Sequence, residues 1–158
     1  MESLITIPTV KITRHLEAAD ESTSNAQVFA DETGKQFLVK FKENNLGTAK
    51  ILANELVANA LGSLLGMPIP QGAIVEVDDL ILSSNPDFPT MYGHQISTGY
   101  HCGTEFIGNA YRQVKSLIAN VSNKPDFPGV IVFDILTNNH DRDNDGNFLI
   151  VLSNLAPA

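Results

Sequence analysis

The most polar stretch of the chain carries side chains that bind hard cations. Residues 138–147, NNHDRDNDGN, hold three carboxylates, four carboxamides, an imidazole and a guanidinium. Apolar runs precede and follow this stretch. Because so polar a segment is not buried without partners, while its flanks are tied to a core, the sequence predicts a fixed loop. Such a loop displays oxygen ligands for a hard cation and, through the cation, for phosphate.

One interpretation of this loop is a kinase catalytic loop of the pattern H-R-D-x-x-x-x-N. In that pattern the Asp accepts the proton of the substrate hydroxyl, and the Asn holds magnesium. Asp141 and Asn147 are six positions apart, close to the spacing of the pattern. His140 and Arg142 flank the Asp.

Two other interpretations stay open for the same loop. Asp141, Asp143, Asp145 and Gly146 match the first half of a calcium loop, D-x-[DN]-x-[DN]-G. The second half does not match, because Leu152 stands where a bidentate Glu is needed. The segment that follows also indicates a strand rather than a second helix. The third interpretation is a solvated turn, since Asp and Asn favour turns.

A lysine and a glutamate earlier in the chain occur in the sequence order of the Lys–Glu pair that binds nucleotide phosphates in kinases. Lys40 ends the apolar strand pattern QFLVK, where alternation alone could point it to solvent. Glu55 lies beside the apolar stripe of a helix predicted over residues 49–66. A glutamate that faces a sheet needs a partner, and Lys40 is the obvious one. Kinases place their phosphate-binding Lys–Glu pair in this order.

Two weaker candidate sites remain. Ser22, Thr23 and Ser24 offer hydroxyl and backbone N–H groups that can cap phosphate oxygens, although a plain loop is the simpler interpretation. His94, together with the adjacent pair His101–Cys102, lacks the spacing of a zinc motif, so a metal there is not favoured.

The remaining patterns predict an α+β fold. Residues 4–16 indicate an edge strand because of Pro8, and 27–31 with 36–41 indicate a hairpin, which gives a small antiparallel sheet. Residues 72–82 favour a strand, an acidic turn and a second short strand, and 83–108 favour irregular structure. The last part of the chain is expected to contain helices 109–122 and 128–138 and strand 148–152. The apolar residues expected to be buried in the last helix are Ile131, Phe133, Ile135 and Leu136.

Composition restricts the function classes. A chain of 158 residues corresponds to one domain, or to one lobe and part of another. The net charge of −8 argues against a general nucleic-acid binder. The single cysteine, Cys102, excludes an internal disulfide and fits a reducing cytoplasm. We expect no signal peptide and no membrane span.

Several segments together resemble the HipA-like kinases, in particular bacterial stand-alone HipA-like kinase-domain proteins of unknown substrate. The resemblance covers roughly residues 14–152. It rests on the run VKF, NELVA and LG-P-P, on GYHCGTEF and on FPGVIVFDILTNNHDRDNDGN. It implies a protein-kinase-like N-lobe over residues 1–82, with an antiparallel sheet and one long helix. A partial helical C-lobe over 83–158 would contain the catalytic-loop-like segment 138–147.

The resemblance also implies a function and its residues. The reaction would be transfer of a phosphoryl group from Mg-ATP to a protein hydroxyl. Calcium stays the alternative ligand because of the partial calcium-loop match, not because of the resemblance. Catalytic roles would fall to Lys40 as the ATP-phosphate lysine, Glu55 as its partner and Asp141 as the catalytic Asp. Asn147 would be a magnesium ligand. Beside the resemblance, the residues themselves make Ser22, Thr23 and Ser24 candidates for binding the nucleotide and Asp145 a second candidate for magnesium. ATP and a protein substrate are the expected partners, and a homo-oligomer stays open.

Two departures from the family pattern affect these expectations. The loop that would cover the phosphates contains no glycine. No Asp or Glu follows Asp145, although the kinase scheme uses a second metal-binding Asp. We therefore expect a chain that lacks much of the C-lobe, either truncated or degenerate. A non-catalytic pseudokinase or protein-interaction module is the alternative function.

Overall fold

A five-stranded β-barrel is the main feature of the computed structural model, which describes residues 6–19, 25–43, 49–86, 96–112, 118–140 and 148–151. Its strands follow the spatial order β1-β2-β3-β5-β4. Four of the neighbouring pairs are antiparallel, whereas β1 and β4 close the barrel in parallel. The strand bounds are β1 Thr9–Ala18, β2 Gln27–Asp31, β3 Gln36–Lys40, β4 Gly72–Val77 and β5 Gly99–Glu105.

The barrel corrects the prediction of a small, wholly antiparallel sheet. The predicted hairpin is confirmed as β2 and β3. The edge position predicted for the first strand is wrong, since β1 pairs on both sides. Pro8 causes no conflict because it precedes the strand, and its carbonyl oxygen accepts a hydrogen bond from the backbone N–H of Ile74. The barrel interior is filled by buried apolar side chains that include Ile12, Phe29, Phe37, Val39, Phe41, Ala73, Val75 and Val77.

The predicted long helix is present as α1, Ala49–Leu64, and packs against β4 and β5. Its end follows a defined hydrogen-bond pattern. The N–H of Met67 donates to the carbonyl oxygen of Gly62, and the N–H of Gly66 donates to that of Ser63. Gly66 has a φ of +69°, the left-handed conformation that such a helix end requires.

Two predictions for the middle of the chain are wrong. The second short strand expected near residue 80 is helix α2, Asp79–Ser83. Asp78 begins this helix, since its Oδ1 accepts hydrogen bonds from the N–H groups of Leu80 and Ile81 at 3.0 and 3.1 Å. The region expected to be irregular contains β5. Its Gly103 is required by packing, because a Cβ there would lie 2.4 Å from Cγ2 of Val75.

The chain forms two compact units, Met1–Phe106 and Ile107–Ala158. Strands β6 Ala110–Arg112 and β7 Leu149–Val151 pair antiparallel. The predicted helix 109–122 is therefore wrong over β6, because the distant β7 supplies a pairing partner. A short 3₁₀ helix, Lys124–Asp126, leads into α3, Phe127–Thr137, which confirms the last predicted helix.

The burial predicted for α3 is only partly right. Phe133 is buried, as expected, and so is Val130. Ile131, Ile135 and Leu136 are 61, 74 and 72 % exposed, contrary to the prediction. Apolar residues occur on more than one side of this helix, and one side alone faces the interior of its own unit. The α+β class is confirmed, whereas the division into kinase lobes stays a prediction.

Candidate functional site

Lys40 and Glu55 form an ion pair between the barrel and α1. Lys40 is the last residue of β3, and Glu55 lies in the second turn of α1. Nζ of Lys40 donates a hydrogen bond to Oε1 of Glu55 at 2.7 Å. The two side chains are 32 and 36 % exposed, so solvent reaches both. Sequence reasoning paired these residues, and the structure brings them together.

A buried thiol lies next to this pair. Cys102 of β5 is the direct partner of Lys40 in the ladder between β3 and β5. The pKa of Cys102 is raised to about 12, mainly by burial and also by the negative charge of Glu55, while the ammonium of Lys40 acts in the opposite direction. The thiol is therefore neutral near pH 7 and supplies no nucleophile.

The connection between β1 and β2 starts from the same end of the barrel as Lys40. The backbone N–H of Ala19 donates to the carbonyl oxygen of Ala26 at 2.9 Å, which closes the base of this connection. Gln27 pairs with Val39, so Ala26 lies level with the residue that follows Val39, which is Lys40. The predicted phosphate-capping residues belong to this connection but lie outside the described residues; they are Ser22, Thr23 and Ser24.

Sequence reasoning missed Asn59, which joins α1 to the start of β4. Its Nδ2 donates to the carbonyl oxygen of Pro70, and its Oδ1 accepts from the N–H of Gly72, both at 2.7 Å. Asn is an unfavourable residue in the interior of a helix, because its side chain competes for backbone hydrogen bonds. Its position in the middle of α1 was the available signal of a tertiary contact.

His101 is a satisfied structural histidine. Its side chain is fully buried. Nδ1 accepts a hydrogen bond from the N–H of Lys42 at 3.3 Å, and Nε2 donates to the carbonyl oxygen of Ser97 at 3.0 Å, an arrangement that assigns the neutral Nε2–H tautomer. Burial lowers the pKa of His101, although the nearby carboxylate of Glu43 opposes this. Among the described residues no group of three or more His, Cys, Asp or Glu could hold a metal ion, and His94 lies outside them.

The polar loop leaves α3 through a defined helix end. Asn138 has a φ of +53°, and the N–H of Asn139 donates to the carbonyl oxygen of Asp134 at 2.8 Å. These are the features of a helix that ends on a left-handed residue, with Asn in the place of Gly. His140 adds a hydrogen bond from its ring to Oδ1 of Asn138 at 2.9 Å. The predicted loop ligands lie outside the described residues; they are Asp141, Asp145 and Asn147.

The elements on the two sides of this loop bear on the calcium interpretation. The helix α3 precedes the loop and the strand β7 follows it. A helix–loop–helix calcium motif has a helix on each side. The strand predicted after the loop is therefore confirmed, and its presence disfavours this calcium motif.

Comparison with known proteins gives the family. The family profile described as HipA-like kinase matches residues 12–154, most of the chain. The chain therefore belongs to the HipA-like kinase family, which confirms the resemblance and indicates a kinase-like function. No curated protein and no solved structure gives a significant match. In the part of the chain that the structure describes, no helix combines the length and the apolar character needed to cross a membrane.

Proposed function

We propose that this chain is a kinase-type phosphotransferase domain that binds Mg-ATP and transfers its γ-phosphoryl group to a protein hydroxyl. The single observation that carries the proposal is the contact between Lys40 and Glu55, 2.7 Å from Nζ to Oε1, in a member of the HipA-like kinase family. In this proposal the barrel and α1 form the nucleotide-binding lobe.

The chemistry of the pair suits a phosphate. An ammonium has three N–H donors, and Glu55 takes one of them. Fixing the flexible lysine stem orients the remaining donors toward a ligand and reduces the entropy lost on binding. Because Lys40 is 32 % exposed, a ligand can reach it. A cation held in this way binds phosphate oxygens through charge-assisted hydrogen bonds.

The base of the β1–β2 connection supports the same position for the nucleotide. Since Ala26 lies level with Lys40, the connection that carries Ser22, Thr23 and Ser24 begins at the lysine end of the barrel. In the proposal these three residues cap phosphate oxygens with hydroxyl and N–H groups. No glycine is needed if the hydroxyls provide part of the contact.

The roles of the polar loop rest on the family and on its donor set. Its candidate ligands present only carboxylate and carboxamide oxygens, which suit magnesium. Asn147 and Asp145 would hold the ion, which neutralises charge on the phosphates when bound. Asp141 would accept the proton of the acceptor hydroxyl. The acceptor oxygen then bonds to the γ-phosphorus, the bond from this phosphorus to the bridging oxygen breaks, and ADP leaves.

Nucleotide binding with and without magnesium tests the proposal. We expect Lys40→Ala to weaken Mg-ATP binding by about tenfold or more, the effect of losing a hydrogen bond to a charged group. Lys35→Ala is the matched control, because Lys35 forms a similar pair with Glu105, at 2.9 Å and with similar exposure, near the other end of β3. Equal affinities of wild type and Lys40→Ala would overturn the role of the lysine.

Turnover separates an active kinase from a binding module. Phosphate transfer from labelled ATP to protein is expected for the wild type, and Asp141→Asn should abolish transfer while Mg-ATP still binds. Magnesium-dependent binding with no transfer by the wild type would favour the pseudokinase alternative. Calcium binding with no affinity for ATP would favour the calcium alternative and overturn the proposal.

A further inference from the structure

We propose that Asn59 is a positioning residue for the nucleotide site: its carboxamide fixes α1 on the barrel so that Glu55 meets Lys40. This inference rests on the proposed function for its effect on ATP. The contact on which it depends can also be measured without any nucleotide.

Both ends of the Asn59 carboxamide are engaged by backbone groups outside the helix. Nδ2 donates to the carbonyl oxygen of Pro70, and Oδ1 accepts from the N–H of Gly72, at 2.7 Å each. These two groups lie on either side of Gln71, at the start of β4. The carboxamide therefore ties one point of α1 to one point of the barrel, with a defined orientation as well as a defined distance.

This contact requires a residue without a side chain at position 72. A Cβ on residue 72 would lie 2.6 Å from Oδ1 of Asn59 and 2.8 Å from its Cγ. Such distances require the carboxamide to move. The φ of Gly72 lies outside the left-handed region, so its backbone conformation does not itself require glycine. Gly72 is thus needed for the approach of Asn59.

Apolar packing alone fixes α1 weakly. Among its described large apolar side chains, only Leu52 is fully buried, at 6 % exposure, and Leu56 is half-buried. Val57, Leu61 and Leu64 are 57, 42 and 50 % exposed. A helix with so few buried apolar contacts can shift or rotate on the surface that it covers. Directional hydrogen bonds then decide its position.

Glu55 lies where this restraint acts on it directly. Asn59 follows Glu55 by four residues, so both side chains lie on the same side of α1, one turn apart. A helix transmits a displacement along so short a distance with little loss. A shift of about 1 Å would take the contact between Glu55 and Lys40 out of hydrogen-bond range. The Asn59 contact and the ion pair are therefore two attachments of one helical segment.

The test combines variants of the Asn59 contact with a readout that needs no nucleotide. Asn59→Ala removes the carboxamide, Gly72→Ala displaces it from the other side, and the double variant combines them. Asn54→Ala, an exposed position on the same helix, is the matched control. The first readout is the carboxyl ¹³C resonance of Glu55, which reports on the ion pair. The second is the dissociation constant of Mg-ATP, measured well below the unfolding transition of each variant.

We expect Asn59→Ala and Gly72→Ala to shift the Glu55 resonance and to weaken Mg-ATP binding, each by about tenfold, because a misplaced group contributes much less to binding. The double variant should be no worse than Asn59→Ala alone, since Gly72→Ala acts by displacing Asn59. Lys40→Met should lower the affinity of the Asn59→Ala protein by much less than that of the wild type. Asn54→Ala should resemble the wild type in both readouts.

The outcomes separate the two proposals. An unchanged Glu55 resonance and unchanged affinity in a folded Asn59→Ala protein would overturn the positioning role, even if its thermal stability had dropped. If Asn59→Ala fails to fold, Gly72→Ala decides the same question, because it leaves α1 unaltered. If the wild type binds no ATP, the proposed function fails, while the Glu55 resonance still decides whether Asn59 sets the pair.

Discussion

Cys102 lies directly opposite Lys40 in the ladder between β3 and β5. Directly opposed residues of an antiparallel pair have their side chains on the same face of the sheet. The thiol is 2 % exposed, and its pKa is raised to about 12 by burial and by the charge of Glu55, against the effect of Lys40. The reactivity of this thiol, the only cysteine of the chain, therefore reports on the charges of the Lys40–Glu55 pair.

The first prediction is that Cys102 resists alkylation in the folded protein. With a pKa of about 12, its thiolate fraction at pH 8 is roughly a thousandfold below that of an ordinary cysteine. The rate of reaction with iodoacetamide at pH 8 should therefore be lower in buffer than in urea by roughly this factor. Glu55→Gln should lower the pKa, and Lys40→Met should raise it. Equal rates in buffer and urea would contradict the buried position.

A second prediction separates the stabilising effect of the ion pair from its effect on ligand binding. Lys40→Met should change the free energy of unfolding by less than ~1 kcal/mol, because pairs as exposed as this one contribute about 0–1 kcal/mol. Met keeps much of the apolar stem of the lysine. Urea unfolding without nucleotide measures this effect, and repetition with saturating Mg-ATP measures the ligand effect. A loss of several kcal/mol without nucleotide would show a structural role instead.

Part of the fold and of the site could be predicted from the sequence. The hairpin β2–β3 and the helix α1 have strong local patterns, and local patterns are what a sequence displays directly. The pairing of Lys40 with Glu55 followed from the cost of leaving a glutamate unpaired beside an apolar face. The residues of the polar loop were identified from their types, but Asp141, Asp145 and Asn147 lie outside the described residues.

The features that could not be predicted depend on distant partners. Strand β5 contains Gly103, and glycine on its own disfavours a strand. The reason for this glycine is the close approach of Val75, which the local sequence does not show. Strand β6 is three residues long and pairs with β7 from the far end of its unit. Asn59 acts through the backbone of Pro70 and Gly72, which its own neighbours in sequence do not indicate.

A third prediction concerns Gly103. Gly103→Ala should destabilise the protein by about 1–3 kcal/mol, the usual cost of overpacking, because the new methyl group would lie 2.4 Å from Cγ2 of Val75. Val75→Ala should make room for it. In a double-mutant cycle by urea unfolding, Gly103→Ala is expected to cost less in the Val75→Ala background than in the wild type. Equal costs in both backgrounds would mean that the contact with Val75 is not the source of the destabilisation.

The fourth prediction is a loss of stability in mild acid that depends on His101. Burial lowers the pKa of this side chain below its ordinary value of 6.5, with Glu43 opposing the shift and Lys42 adding to it. As the pH falls through 6.5, the unfolded chain binds a proton that the folded chain does not. The free energy of unfolding should therefore decrease until the pH reaches the folded pKa, and should then level off. Protonation of Nδ1 would also remove the acceptor for the N–H of Lys42, at 3.3 Å.

Urea unfolding between pH 8 and pH 5 measures this contribution of His101. The variant His101→Gln should lose the part of the pH dependence that comes from this ring. Glu43→Gln should extend the loss of stability to lower pH. The reason is that this variant removes the carboxylate 3.9 Å from Nδ1, which favours the protonated ring. His15→Gln is a control, since this histidine is bonded to Gln27 through Nε2 and is less buried. A pH slope that is the same in wild type and His101→Gln would show that the ring titrates alike in the folded and unfolded chains.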